Sequence, residues 1–131
     1  MIVIDASVTL AWLFEDERSA LAQRVLTTLE GDEAVVPAIW PVEVQNVILM
    51  AERRGRLTAE AGELLSGIRA LPIHIEAPIG IDATVYDLAK KYELTTYDAA
   101  YLELAVRHGC KLATLDKALA RAARRENALF R

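Results

Sequence analysis

Short apolar runs, each followed by a segment of helical period, constrain this chain more than any other feature. Met1-Ile2-Val3-Ile4 is a continuous β-branched run that suits a strand buried on both faces, and Asp5 ends it. Glu33-Ala34-Val35-Val36 reads the same way and is closed by Pro37. Ile73-His74-Ile75 alternates, Leu112-Ala113-Thr114 is a fourth run, and Ala128-Leu129-Phe130 is a candidate fifth. Helical segments fill the gaps: Ser7 to Phe14, Ser19 to Leu29 with Leu21, Val25, Leu26 and Leu29 inward, and Val42 to Arg54 behind Pro41. Two more run from Glu60 to Leu71, stopped by Pro72, and from Gly80 to Tyr92 through Ile81, Val85, Leu88 and Ala89. Strands alternating with helices imply an α/β domain. Its central parallel sheet has four to five short strands, covered on both faces and joined by right-handed crossovers. With no repeat, low-complexity tract or linker, residues 1–131 read as one domain around one core.

The most informative stretch is Thr95-Thr96-Tyr97-Asp98-Ala99-Ala100-Tyr101-Leu102-Glu103-Leu104-Ala105. Thr95 and Thr96 are suitable caps, Tyr97, Ala100, Tyr101, Leu104 and Ala105 recur at helical spacing, and His108-Gly109 is a C-cap. An acid in the first turn of a helix gains only ~0.3–1 kcal/mol from the dipole, and an exposed cap does not call for tyrosines and alanines around it. Asp98 therefore reads as one wall of a site.

In a parallel sheet, ligands bind beyond the carboxyl ends of the strands. Asp5 follows the first strand, Glu43 opens the helix after the second, Asp98 opens its own helix, and Asp116 follows the Leu112–Thr114 strand. Each acid alone serves as a cap or dipole partner. Gathered at one edge they repel one another, with only Lys117 and Arg18 as cations beside them in sequence. Like charges at short range either raise a pKa or recruit a cation. Oxygen donors with no His or Cys beside them suit Mg²⁺ or Mn²⁺. Such an ion activates water and offsets charge on a phosphate. No Gly-x-x-x-x-Gly-Lys-Ser/Thr loop is present to cradle a nucleoside triphosphate, so hydrolysis of a phosphodiester is the better match.

Composition narrows the classes further. Nineteen acids against fifteen Lys and Arg give a net charge of −4, which argues against indiscriminate coating of nucleic acid and still allows a local basic rim. The single Cys110 permits no intrachain disulfide, which makes a reducing cytoplasm the expected compartment. The apolar first fourteen residues are broken by Asp5 and lack a basic start and a cleavage pattern, so no export signal is expected. No run approaches the ~20 apolar residues of a membrane span, so no membrane partner is expected.

Four motifs, Asp5-Ala6-Ser7 after an initial strand, Pro41-Val42-Glu43-Val44-Gln45-Asn46, Thr96-Tyr97-Asp98-Ala99-Ala100-Tyr101 and Thr114-Leu115-Asp116-Lys117, together resemble in order and spacing the PIN-domain ribonucleases. The likeness is greatest to the VapC toxins of bacterial and archaeal type II toxin–antitoxin pairs, and it runs over residues 1 to 126. Asp-x-Ser alone is trivial; the ordered set carries the weight. The resemblance implies an α/β/α sandwich and a Mg²⁺- or Mn²⁺-dependent endoribonuclease that hydrolyses RNA. It also implies a homodimer and a cognate antitoxin protein that blocks the site. Asp5, Glu43, Asp98 and Asp116 occupy the family's catalytic acidic quartet, with Asp5, Asp98 and Asp116 as metal ligands. Glu43 binds through water or helps to deprotonate it. Ser7 and Thr114 match hydroxyl positions beside the metal, and Asn46 matches a supporting amide. Some members carry a further acid shortly after the position of Asp116, where this chain has Lys117, Ala118 and Leu119.

Other conspicuous residues have plainer readings. Trp12 and Trp40 suit packing better than base stacking, and Tyr97 and Tyr101 suit packing supports for Asp98. His74 and His108 have no partner at metal-ligand spacing and are read as structural. Asp16, Glu30, Asp32, Glu60, Glu63, Asp82, Asp87 and Glu93 read as solvated charge. Two basic clusters, Arg53, Arg54 and Arg56, and Arg121, Arg124 and Arg125, read first as solvated helix ends, with a phosphate-guiding rim or an anchor for an acidic antitoxin segment as the rarer use. The main alternative function is a PIN-like non-catalytic module that binds RNA or protein through the same acids. A receiver-like phosphoacceptor ranks below it, because that class wants an adjacent acidic pair after the first strand and this chain has a lone Asp5.

Overall fold

The first strand is the middle of the sheet. In a computed structural model describing residues 1–131, β1 (Ile2–Ile4) pairs in parallel with β2 (Ala34–Val36) on one side and with β4 (Lys111–Ala113) on the other. β3 (Ile73–Ile75) adds to the far side of β2, giving the order β3-β2-β1-β4. Burial explains the composition. Ile2, Val3 and Ile4 are buried, as are Ala34, Val35 and Val36, so neither face of these strands has a place for a polar side chain. β3 lies at the edge, and its His74 and Ile75 are exposed.

Seven helices cover the sheet: α1 (Ala6–Leu13), α2 (Ala20–Thr28), α3 (Trp40–Arg53), α4 (Ala61–Arg69), α5 (Ala83–Tyr92), α6 (Thr96–His108) and α7 (Lys117–Arg125). α1 packs on α2 and α3, and α3 on α4, whereas α6 packs on α5 and α7. The chain runs from β1 outward to β3 and then crosses back to β4. With right-handed crossovers, that reversal puts the two helical groups on opposite faces, an α/β/α sandwich. One contiguous apolar core joins the two faces through the sheet. No helix is long and apolar enough to cross a membrane.

Two expectations fail locally. Ala128-Leu129-Phe130 does not become a strand: it meets β4 in a single parallel bridge, Leu112 to Leu129, with Asn127 in left-handed conformation (φ 55°) just before it. The sheet therefore has four strands. The fifth helix begins three residues later than the apolar spacing predicts, because the Asp82 carboxylate accepts the Thr84 N–H at 2.8 Å and caps the helix there. Ile81 is left outside and fully exposed. The cap rules succeed elsewhere. Ser19 accepts from Ala22, Thr95 from Asp98, and Gly109 ends α6 at φ 63°, a conformation a side chain would resist. Asp16 and Asp32 are paired rather than free, with Arg56 at 3.2 Å and the Met1 amine at 2.6 Å.

The order of burial sets an order of cost. Ile4→Ala, at a fully buried position of the central strand, is expected to lose about 3 kcal/mol in urea unfolding. Val42→Ala, 62% exposed at the start of α3, is expected to stay within about 0.5 kcal/mol of wild type.

Candidate functional site

All four strands point the same way, so their carboxyl ends share one edge, and the chain leaves β1 toward β2 in one direction and returns at β4 from the other. A crevice forms where the direction switches. Asp5 stands there, at the end of β1, 5% exposed. It is the N-cap of α1, with Val8 N–H donating to Oδ1 at 3.2 Å. The Ser7 hydroxyl donates to the same oxygen at 2.5 Å, and the Thr114 hydroxyl donates to Oδ2.

Those two hydroxyls have a second duty. Ser7 Oγ accepts the Leu115 N–H at 2.9 Å, and Thr114 Oγ1 accepts the Asp116 N–H at 3.0 Å. The end of β1 is thereby stitched to the turn after β4. Asp116 then caps α7, accepting the Leu119 N–H on Oδ1 at 2.8 Å and leaving Oδ2 without a donor. Asp5 and Asp116 are thus both helix caps at this edge.

Glu43 comes from the first turn of α3, whose start is set by Pro41. The Tyr101 hydroxyl, reaching over from α6, donates to Glu43 Oε1 at 2.7 Å. This corrects the expectation that Tyr101 braces Asp98: it holds Glu43. Tyr97, also expected to pack, is 60% exposed. Trp40 is buried as expected, and its indole N–H donates to Thr9 Oγ1 at 3.1 Å, while the Thr9 hydroxyl donates to the Asp5 carbonyl at 3.3 Å. Thr9 has no role in the sequence-based expectation, which gives Tyr101 to Asp98 in place of Glu43. A buried tyrosine hydroxyl needs a partner, and that requirement was the available signal. Asn46 sits one turn beyond Glu43, exposed and outside this network.

The acids act on one another. Burial raises the Asp5 carboxyl pKa above the ordinary carboxylate range despite three hydrogen bonds, and the charge of Asp98 adds to the rise. Burial also raises Glu43, helped by the charges of Asp98 and Asp5 and opposed by the Tyr101 hydrogen bond. Asp98 is raised by burial and then by Asp116, with the Thr95 hydroxyl pulling the other way. The Tyr101 phenol is pushed far up by its burial and by Glu43. None of the six ion pairs in the structure includes any of the four acids. Arg18, a sequence neighbour, pairs weakly with Glu15 at 3.7 Å instead.

The quartet does not close on a point. No three His, Cys, Asp or Glu side chains stand close enough to grip one ion together. A cation here would be held by one or two carboxylates and keep most of its own water, the habit of Mg²⁺ more than of Zn²⁺ or Ca²⁺. The donor chemistry suits that. A carboxylate accepts at roughly four lone-pair positions, and Asp5 has three filled, so its Oδ2 retains one, while Asp116 keeps one carboxylate oxygen without a donor.

Comparison with known proteins agrees with the fold. A family model described as PIN domain matches residues 2–125. Ribonuclease VapC3 of Pyrobaculum aerophilum is 36% identical over 124 residues, which is 91% of this chain and 92% of that protein. The crystal structure of PAE2754 from Pyrobaculum aerophilum matches with a TM-score of 0.71 at 24% identity, covering 92% of this chain and 83% of that one; it speaks for the fold alone.

Raised carboxyl pKa values make the metal-free fold lose stability as pH rises. The folded state holds protons that the unfolded chain has released, so the penalty begins at the ordinary pKa near ~4 and is complete above the raised values. Asp98→Asn removes one such group. Discounted for solvent screening to ~0.5 kcal/mol, its gain at pH 7.5 is expected to raise Tm by about 2 °C in chelator. Near pH 4 the difference from wild type is expected to vanish, and melting curves across that range check both ends.

Proposed function

The chain belongs to the PIN-domain family, in its VapC branch, and from that premise we propose that it is a Mg²⁺- or Mn²⁺-dependent endoribonuclease acting as the toxin of a toxin–antitoxin pair. One observation carries the proposal. Burial raises the pKa of Asp5, Glu43 and Asp98 at the switch point of the sheet, the charge of a neighbouring acid adds to each rise, and no cation of the chain pairs with any of the four acids. A purely structural edge would shed such repulsion by a single exchange to Asn or Ser.

One or two of Asp5, Asp98 and Asp116, not all three together as the resemblance implied, would hold the ion, because no three acids stand close enough to share it. When bound, it would supply charge neutralisation at a phosphate and a lowered pKa for water. The chain's own contribution is positional. Ser7 and Thr114 hold Asp5 in one rotamer and fix the turn that presents Asp116. Tyr101 turns Glu43 so that one carboxylate oxygen is occupied and the other is left to accept a proton from an attacking water. Burial around Asp5 strengthens every charge interaction at the site relative to open water.

An antitoxin that blocks this site and a second copy of the chain are the protein partners that go with the reading. An apolar recess between α3 and α4, lined by Trp40, Val44, Leu65, Ile68 and Leu71, supports a helical interface there. The name of the 36% identical relative supports RNA as substrate.

Purified protein is expected to cleave RNA with Mg²⁺ or Mn²⁺ and to stop in chelator, with Asp98→Asn lowering cleavage at least ~100-fold. Mn²⁺ is also expected to raise the Tm of the wild type and not of Asp98→Asn. Melting shifts without cleavage of any RNA would favour the non-catalytic binding module. Full cleavage in chelator, by protein free of contaminating nuclease, would end the proposal.

A further inference from the structure

α7 presents its cations on one side. Lys117, Arg121 and Arg124 recur at spacings that stack them along a single face, opposite the buried Leu119, Ala122 and Ala123. All three are exposed, and none joins an ion pair or side-chain hydrogen bond. Several other cations of the chain are engaged. Arg56 pairs with Asp16 at 3.2 Å and lies 5.3 Å from the Phe14 ring centre, Arg107 pairs with Glu103 at 2.8 Å, and Lys91 with Glu126 at 3.3 Å. In a chain of net charge −4, an unpaired line of three cations is a local reversal of sign. Helix-end electrostatics account for Arg124 in the last turn. They oppose Lys117, which occupies the first helical position, where the dipole disfavours a cation. The line begins directly after Asp116 and runs about 10 Å away from the acids at 1.5 Å per residue.

A second observation comes from the neighbouring helix. Tyr97 immediately precedes Asp98 and is 60% exposed, and Leu115 immediately precedes Asp116 and is 38% exposed. α6 packs on α7, and Asp98 in the first turn of one lies within Coulombic reach of Asp116 at the cap of the other. The acids are thus flanked by an uncovered aromatic ring on one helix and by the head of the cationic line on the other.

Resting on the nuclease reading, we propose that the outer face of α7 is the track for the RNA backbone next to the cleaved bond, with Tyr97 as the platform on which an adjoining base stacks. Cations that follow phosphates, together with an aromatic that takes any base face, are the means by which an unpaired strand is bound without sequence readout. A duplex keeps its base faces stacked inside and offers Tyr97 nothing.

The test measures binding of a labelled single-stranded RNA to Asp98→Asn protein and cleavage by the active protein, each with and without the substitutions, melting curves confirming the fold. Lys117→Ala/Arg121→Ala/Arg124→Ala is expected to raise KM about ten-fold at low salt, with the loss carried by KM rather than kcat. It should flatten the log–log dependence of binding on salt by about 2, at ~0.7 per phosphate on a single strand. Tyr97→Ala is expected to weaken binding at least about five-fold, with Tyr97→Trp restoring it. An unchanged KM and salt slope in the triple variant, while wild type still cleaves, overturns the track and leaves the nuclease reading standing. An unaffected Tyr97→Ala overturns the platform. Wild type that cleaves no RNA with either metal overturns the reading and the track together.

Discussion

The structure turns on one carboxylate carried into the interior at the end of the central strand. Taking an ion from water into a protein costs several kcal/mol, and a hydrogen bond to a charged group returns about 1.5–3 kcal/mol. Asp5 receives three such bonds, yet its pKa stays raised, so desolvation outweighs them. Those bonds also organise their surroundings. The hydroxyls of Ser7 and Thr114 that satisfy Asp5 accept the next two amides of the β4–α7 turn. Satisfying one buried charge therefore fixes where α7 starts and where Asp116 stands.

Sheet polarity explains why the other acids meet it. Parallel strands end together, and the switch in direction at β1 leaves a crevice between elements that diverge. Glu43 enters from α3 and Asp98 from α6, one from each helical layer, and Tyr101 spans between the layers to hold Glu43. The resulting edge is held by hydrogen bonds between distant segments and is unfavourable in charge. No cation of the chain pairs with these acids, and Arg56, Arg107 and Lys91 pair with Asp16, Glu103 and Glu126 instead. Such an arrangement costs stability in the isolated protein, and the hard cation proposed for this edge would relieve it.

Much of this is legible in the amino-acid sequence. β-branched runs marked β1 and β2, since nothing else suits a stretch buried on both faces, and Thr95, Pro41 and Gly109 marked helix ends by local backbone chemistry. Where local rules compete, reading by period failed. Ile81 fitted an apolar stripe, but Asp82 is a better cap than Ile81 is a core residue, and the cap won. Ala128-Leu129-Phe130 had strand-like character and found only one bridge. Tyr97 and Tyr101 are alike in composition and four residues apart, yet one is exposed and the other buried against Glu43, because their exposure is set by what α6 packs on.

The amino-acid sequence by itself determined the strand and helix order, the parallel sheet, and the four acids with their hydroxyl neighbours, because each rests on chemistry within a few residues of the chain. Tertiary structure alone decided the rest. It set which acids feel one another, gave Tyr101 to Glu43 and Thr114 to Asp5 across 58 and 109 residues, and left Lys117, Arg121 and Arg124 unpaired. Partners so distant along the chain meet only when the two helical layers close over the sheet, and no spacing rule within a segment encodes that meeting.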